Sequence, residues 1–484
     1  MAWPLYLPDD RLKWTEGWDS HPVWPTEPDV SIIQDLIWSE CAPSGSASSL
    51  KAQLEVDFLA DGAHHKVYNV KLPGFSEPLI FRVAVPIDPV LKMESEVSSL
   101  RFLGEKTSVP IPKCLAWGPA ADTELGYDWC LMEKLPGVEL RSVWRKMPWE
   151  RKLELTDRLA DLLSQLWKPE HKFDHIGSIF ALPKHVPDNT AADGATYMVG
   201  PAVDSCFFSG RRRYLHQNRG PFPSCRSWLD SLITLEKEVI TTTKTLLDHK
   251  EDMTPTHLAT DWERLVEDDL EIDDEDEFLE DYDEAIDTVQ AYYKLLPELG
   301  FPHDPPAVGQ PRFSLYHTDL RDANIFVDPE TFDITGILDW ESAMTLPDWD
   351  GRDYPLLLQA PDPFDENIPQ IPSTYDEEDE RYNPALVASR DRWELRLLRR
   401  RYDEALEKLG WKDWRPSSPA ATAKKLFLEG LSMLSSDLQA AKKRLVWAQE
   451  ALDDDKKARE TGAYHAGEGE RAADTAGGDP DAQA

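Results

Sequence analysis

The alternation of apolar and polar positions divides the chain into a strand-rich first part and a helix-rich remainder. Val56–Leu72 (VDFLADGAHHKVYNVKL) reads as a strand, an Asp61-Gly62 turn and a second strand. Leu79–Val85 (LIFRVAV) follows as a third strand, apolar except for Arg82. Lys92–Leu103 has helical spacing, with Val97, Leu100 and Phe102–Leu103 on its apolar side. Thr107–Ala116 reads as a proline-punctuated strand, and Trp129–Gly137 (WCLMEKLPG) runs from a strand into a Pro-Gly turn. Upstream, Val30–Cys41 has the spacing of an amphipathic helix inside a Trp/Pro-rich and then Ser-rich stretch. Downstream, Glu150–Trp167 places six leucines at helical spacing, and Trp228–His249, Ala285–Leu296, Ala388–Leu409 and Ala420–Leu452 also read as helices. Asp453–Ala484 has no apolar periodicity and is expected to be disordered. The pattern predicts an N-terminal extension at 1–50, a β-rich lobe at 51–135, a mostly helical lobe at 136–452 and an acidic tail at 453–484.

The chemistry concentrates in Phe313–Trp340. Phe313–Tyr316 is a short apolar strand leading into a loop. Ile325–Val327 and Ile334–Leu338 are two further strand runs, joined through the Asp328-Pro329 turn. Asn324 therefore enters a hairpin that Asp339 leaves, and both stand at its open end. Phosphoryl transfer needs positioning and charge neutralisation more than covalent chemistry. Asp319 is placed to orient a substrate hydroxyl and accept its proton. Asn324 offers a neutral oxygen and Asp339 an anionic one to Mg²⁺, which prefers hard oxygen ligands. His317 is positioned to brace the loop through hydrogen bonds.

The upstream half supplies what a nucleotide needs. The Asp61–His65 turn, with Gly62 and His64, presents backbone amides that can cap phosphates, although it has one glycine rather than three. A lone charge such as Arg82 in a buried strand needs a partner. On the phosphate-binding reading it grips the α- and β-phosphates, since arginine binds phosphate bidentately and stays charged. Glu96 on the following helix is its best partner and Glu94 the competitor. Met132, Glu133 and Leu135 lie at the strand-to-turn junction, where Glu133–Leu135 backbone groups suit hydrogen bonding to adenine. His64-His65 reads as turn polarity rather than a metal site.

These residues resemble the aminoglycoside phosphotransferase (APH) family and its large fungal branch, within the protein-kinase-like superfamily. His317-Thr318-Asp319-Leu320, Asn324-Ile325-Phe326-Val327 and Leu338-Asp339-Trp340-Glu341 follow the family's catalytic pattern. Leu131-Met132-Glu133 with Pro136-Gly137 is similar to its hinge. The resemblance covers roughly Leu54 to Leu358, with an insertion. It implies an α+β, bilobal protein-kinase-like fold using ATP and magnesium, with Asp319 as catalytic aspartate and Asn324 and Asp339 as metal ligands. Arg82 stands where protein kinases usually carry lysine, a replacement often seen in the fungal branch.

Composition narrows the partners. The chain has 484 residues, 90 acidic against 52 basic, for a formal charge of −38. That balance speaks against nucleic acid, whose binding rests on cationic neutralisation of phosphates. It is compatible with a cationic hydroxyl substrate. Glu267–Glu284 holds 13 acidic residues in 18, and residues 261–284 read as a solvated insertion. With no apolar run of about 20 residues, no membrane span is expected. The N-terminus resembles neither a signal nor a transit peptide. Five scattered cysteines without CxxC spacing suggest a reducing compartment, so the cytoplasm is the expected location. The leading expectation is a kinase of a small-molecule hydroxyl. Its rivals are a pseudokinase-like nucleotide-binding module and a protein kinase. The latter is disfavoured because Trp340-Glu341 follows Asp339, where protein kinases carry Phe-Gly.

Overall fold

The computed structural model describes residues 12–14, 22–41, 48–182, 196–208, 212, 215, 217–248, 275–301, 312–359 and 384–461. Strands β1 (Glu55–Asp61), β2 (His65–Lys71), β3 (Leu79–Ala84), β4 (Cys114–Gly118) and β5 (Trp129–Glu133) form one antiparallel sheet in the order β1-β2-β3-β5-β4. Side chains alternate across a strand, and this sheet uses both faces. Tyr68, Val70, Phe81, Val83 and Leu131 point to one side, where helix α1 (Val30–Cys41) buries Ile33 and Ile37 against them. The segment expected to be a separate N-terminal extension therefore contributes to the core of the first lobe. Its i,i+4 isoleucines could not be buried without the sheet.

The other face carries Arg82, Cys130 and Met132 toward helix α2 (Leu91–Lys106). Helix α2 is enclosed rather than amphipathic: Glu94, Ser95, Glu96, Ser98 and Ser99 are all buried. Its outer side is covered by the hairpin of β7 (Ile179–Leu182) and β8 (Thr196–Val199), where the Ala181 N–H donates to Ser98 Oγ at 3.0 Å. The strand expected at Thr107–Ala116 takes up its regular register only at Cys114. Pro110 and Pro112 have no N–H for a ladder.

The second lobe is mostly helical. It is built from α3 (Trp149–Ser164), α4 (Cys225–Asp248), α5 (Glu275–Leu295), α6 (Pro384–Lys408), α7 (Pro419–Met433) and α8 (Leu438–Glu460), packed around one large core. Three differences from expectation are local. The helix expected at Ala420–Leu452 is a hairpin of two, because Asp437 caps α8 by accepting the Ala440 N–H at 2.8 Å. Helix α8 continues to Glu460, so the start of the presumed disordered tail is helical; 462–484 lie outside the described residues. Helix α5 begins at Glu275, inside the acidic insertion, whose residues 261–274 also lie outside them. Among the described residues no helix is long and apolar enough to cross a membrane.

Between the lobes lies a small β-unit. Strands β10 (Ile325–Val327) and β11 (Ile334–Ile337) form a ribbon, and β6 (Val138–Glu139) joins its edge. Strands β9 (Ser314–Tyr316) and β12 (Met344–Leu346) pair and bracket the segment from His317 to Ala343. The Pro136-Gly137 turn docks on the ribbon: Thr335 Oγ1 donates to the Pro136 carbonyl at 2.6 Å. Gly137 has φ +101°, and a Cβ there would stand 2.3 Å from the Val327 carbonyl oxygen. Gly410 has φ +93° with nothing within 4 Å of such a Cβ. Gly410→Ala should cost about 1 kcal/mol from backbone strain alone. Gly137→Ala should cost about 3 kcal/mol or more, because strain and a backbone clash add. Urea denaturation of the two variants checks the ranking.

Candidate active site

The loop between β9 and β10 is fixed by one histidine. His317 Nε2 donates to the Leu338 carbonyl at 2.8 Å, and its Nδ1 accepts the Asp319 N–H at 3.2 Å. Burial pushes its pKa down to about 4, so the ring is neutral and spends both nitrogens on backbone. It also packs on Trp340, with ring centroids 4.6 Å apart. Asn324 Nδ2 donates to the Asp319 carbonyl at 2.8 Å and to Asp319 Oδ2 at 3.2 Å, which leaves Oδ1 as its uncommitted oxygen. The Leu338 N–H donates to the Asn324 carbonyl at 2.9 Å. Asn324 and Asp339 thus flank the open end of the ribbon, as the hairpin spacing predicts.

Asp339 adopts φ +65°, a left-handed conformation unusual outside glycine. The fully buried Trp340 beside it donates Nε1–H to the Ile337 carbonyl at 3.1 Å and helps fix the turn. Burial first, and then the charge of Glu341, raise the Asp339 pKa to about 7. Among the described residues no hydrogen bond reaches its carboxylate. The Asp319 carboxylate is held instead by Arg321, through Nε to Oδ1 at 2.8 Å and Nη2 to Oδ2 at 2.6 Å.

A buried charge network forms the roof. Arg82 Nη1 donates to Glu96 Oε1 at 2.5 Å, so Glu96 is its partner. Arg82 Nη2 lies 3.0 Å from His65 Nδ1. Glu341, from the second lobe, reaches into this cluster. Its Oε2 lies 2.8 Å from Lys92 Nζ and 3.3 Å from His65 Nε2, and its Oε1 lies 3.2 Å from His64 Nδ1. Burial would raise the Glu341 pKa, but Lys92, His65, His64 and Arg82 together hold it well below the usual carboxylate range. His65 is depressed by burial and then by Arg82 and Lys92. Burial also opposes the charge on Arg82, yet Glu96 and its other neighbours outweigh that, and it stays firmly protonated.

The remaining expected residues fall around this centre. The Gly62 N–H donates to the His65 carbonyl at 2.8 Å and closes the β1–β2 turn. His64 and His65 both hold Glu341, a structural task in place of the turn polarity expected of them. Met132 is buried behind Arg82, and Leu135 packs over Gly336 of the ribbon. Of the expected adenine contacts one amide is already taken: the Glu133 N–H donates to the Lys113 carbonyl at 3.0 Å, because β5 keeps pairing beyond β4. Lys92 and Glu341 are the residues sequence reasoning did not single out. The only hint lay in a lysine opening a helix and a glutamate two residues past Asp339.

Residues 55–347, more than half of the chain, match the profile of the phosphotransferase enzyme family (APH). A subtelomeric hrmA-associated cluster protein of Aspergillus fumigatus is 24% identical over 341 residues, covering 66% of this chain and 64% of the relative. The chain thus spans less than two thirds of that relative. An altered inheritance of mitochondria protein 9 of Meyerozyma guilliermondii is 24% identical over 212 residues, 40% of this chain and 34% of that protein. Among solved structures, the Plasmodium vivax ethanolamine kinase has TM-score 0.42 at 10% identity, covering 91% of this chain and 93% of that one. Aminoglycoside phosphotransferase APH(2'')-Ib has TM-score 0.37 at 11% identity, covering 88% and 99%. On the extent of the profile match, the chain belongs to the phosphotransferase enzyme family (APH).

Proposed function

We propose that the chain transfers the γ-phosphoryl group of ATP, with Mg²⁺, to a hydroxyl of a small molecule. The observation that carries this reading is the convergence of Asp319, Asn324 and Asp339 at one end of one ribbon, within electrostatic reach of Arg82. The donor set fits magnesium. Asp339 is a buried carboxylate pressed against a like charge with its pKa raised to about 7, and a divalent cation relieves both penalties. Asn324 Oδ1 adds a neutral hard oxygen. Bound Mg²⁺ would supply charge neutralisation on the phosphate oxygens. Arg82, paired with Glu96 and backed by the buried Lys92 that Glu341 holds, directs positive charge toward the remaining phosphate oxygens. Asp319 orients the acceptor hydroxyl and takes its proton. His317 acts through Asp319 and Leu338 and is a positioning residue.

A second reading rests on Arg321. Its two-point grip on Asp319 favours a pseudokinase-like module that binds nucleotide without turnover. The two readings separate in one assay, with ATP consumption followed over a panel of amino alcohols, aminoglycosides, sugars and hydroxy acids. Under the leading reading one compound is phosphorylated. Asp319→Asn then loses about 10³-fold in kcat while Mg-ATP affinity stays within about threefold by calorimetry. Mg-ATP binding by the wild type with no turnover on any acceptor would favour the module.

Asp339 adds a prediction with opposite signs in two conditions. Its folded pKa of about 7 lies above the ordinary 3.8. The folded chain therefore holds this proton between those values when the unfolded chain does not, and stability from this group falls as pH rises from about 4 to 7. Ligand-free Asp339→Asn should be more stable than wild type at pH 8 by about 1–3 kcal/mol, with the gain shrinking toward pH 5. Saturating Mg-ATP at pH 8 should reverse the order, because only the wild type gains binding energy. Urea denaturation midpoints with and without Mg-ATP read both.

A further inference from the structure

We infer that the acceptor at this site is an alcohol carrying an oxyanion, a carboxylate or a phosphate ester, rather than an amine; the inference rests on the phosphotransferase reading above. A pocket of about 360 Å³ lies between residues 141–145, the Arg321-Asp322 pair and helix α6, and Arg321 in its wall is the residue that holds the Asp319 carboxylate. Three guanidinium groups, those of Arg141, Arg145 and Arg321, stand around it, and Trp144 and Leu395 give it an apolar wall. Its acidic residues are engaged. Glu394 is buried and accepts from Lys152 Nζ at 2.6 Å and Arg390 Nε at 3.0 Å. Asp391 accepts from Arg145 Nη2 at 3.2 Å, and Asp322 lies close enough to Arg141 and Arg321 to raise the pKa of both. The arginines are less fully used. Arg141 spends Nε on Glu139 and Arg145 a single nitrogen on Asp391, whereas a guanidinium carries five donors.

Arg321 decides the class. It occupies both oxygens of the carboxylate that must meet the acceptor hydroxyl, and its side chain is 59% exposed, so it has room to swing. An amine entering here would meet three cations and would leave Arg321 on Asp319. An oxyanion offers Arg321 a bidentate partner equivalent to the one it gives up, and its transfer frees Asp319 for the hydroxyl in the same event. The described part of the acidic run lies in α5, which contributes no lining residue to this pocket.

Calorimetric titration of the full chain tests this, with glycerate and glycerol 3-phosphate as the anionic probes and ethanolamine and glycerol as the cationic and neutral ones. At least one anion should bind and weaken with added salt. That affinity should fall roughly tenfold or more in Arg321→Ala and fall also in Arg145→Ala. Binding of glycerate alone assigns the carboxylate as the recognised group, and of glycerol 3-phosphate alone the phosphate ester. The inference is overturned if neither anion binds, if ethanolamine binds more tightly than both, or if anion binding is unchanged in Arg321→Ala. Mg-ATP is titrated separately. Failure of the wild type to bind it would sink the phosphotransferase reading, whereas the anion result would still stand or fall on Arg321.

Discussion

One buried carboxylate ties the two lobes together. Glu341 leaves the second lobe two residues after Asp339 and ends among Lys92, His64, His65 and Arg82 of the first. Charges taken out of water are costly, and a network of this kind is tolerated only when each member is matched. Removing one member leaves the others uncompensated, typically at about 3–5 kcal/mol. The same carboxylate sets the electrostatics of the site. By pressing on Asp339 it adds to the burial that raises the pKa of that side chain to about 7, and by engaging Lys92 it keeps a second positive charge beside Arg82. The position of the β1–β2 turn, through His64 and His65, and the electrostatics of Asp339 both depend on this contact.

The parts of the fold legible in the sequence are those where local pattern and tertiary demand agree. The ribbon could be read because Ile325–Val327 and Ile334–Leu338 are apolar runs separated by an Asp-Pro turn, and pairing follows from their spacing. Helix α1 could be read because Ile33 and Ile37 repeat at i,i+4. The pairing of Arg82 with Glu96 could be read because a buried strand charge demands a partner and α2 offers one at the right height. Illegible were the residues whose burial depends on distant chain. Helix α2 looks like a surface helix with polar Glu94, Ser95, Ser98 and Ser99, yet a hairpin more than seventy residues later covers them. The break between α7 and α8 contains neither glycine nor proline, and its only mark is Asp437 as a cap.

The two aspartates of the site show how differently one residue type can be set. Asp319 is part-exposed, tied to an exposed guanidinium and fixed through its backbone by His317. Asp339 is held by a left-handed turn against the buried Trp340, and no hydrogen bond among the described residues reaches its carboxylate. That asymmetry follows from loop against ribbon-end placement, both set by the bracketing pair β9 and β12.

The unit recognised by sequence and the unit that folds differ in extent. The family profile spans 55–347, but the apolar face of the sheet is closed by Ile33 and Ile37 upstream of it. On the other side, α6, α7 and α8 supply Leu398, Tyr402, Phe427 and Leu452 to the main core downstream of it. A fragment trimmed to the profile would present the back of its sheet and one flank of its helical lobe to water. The motif that the profile recognises lies in the middle of the chain, while the scaffold that makes it rigid is assembled from both flanks.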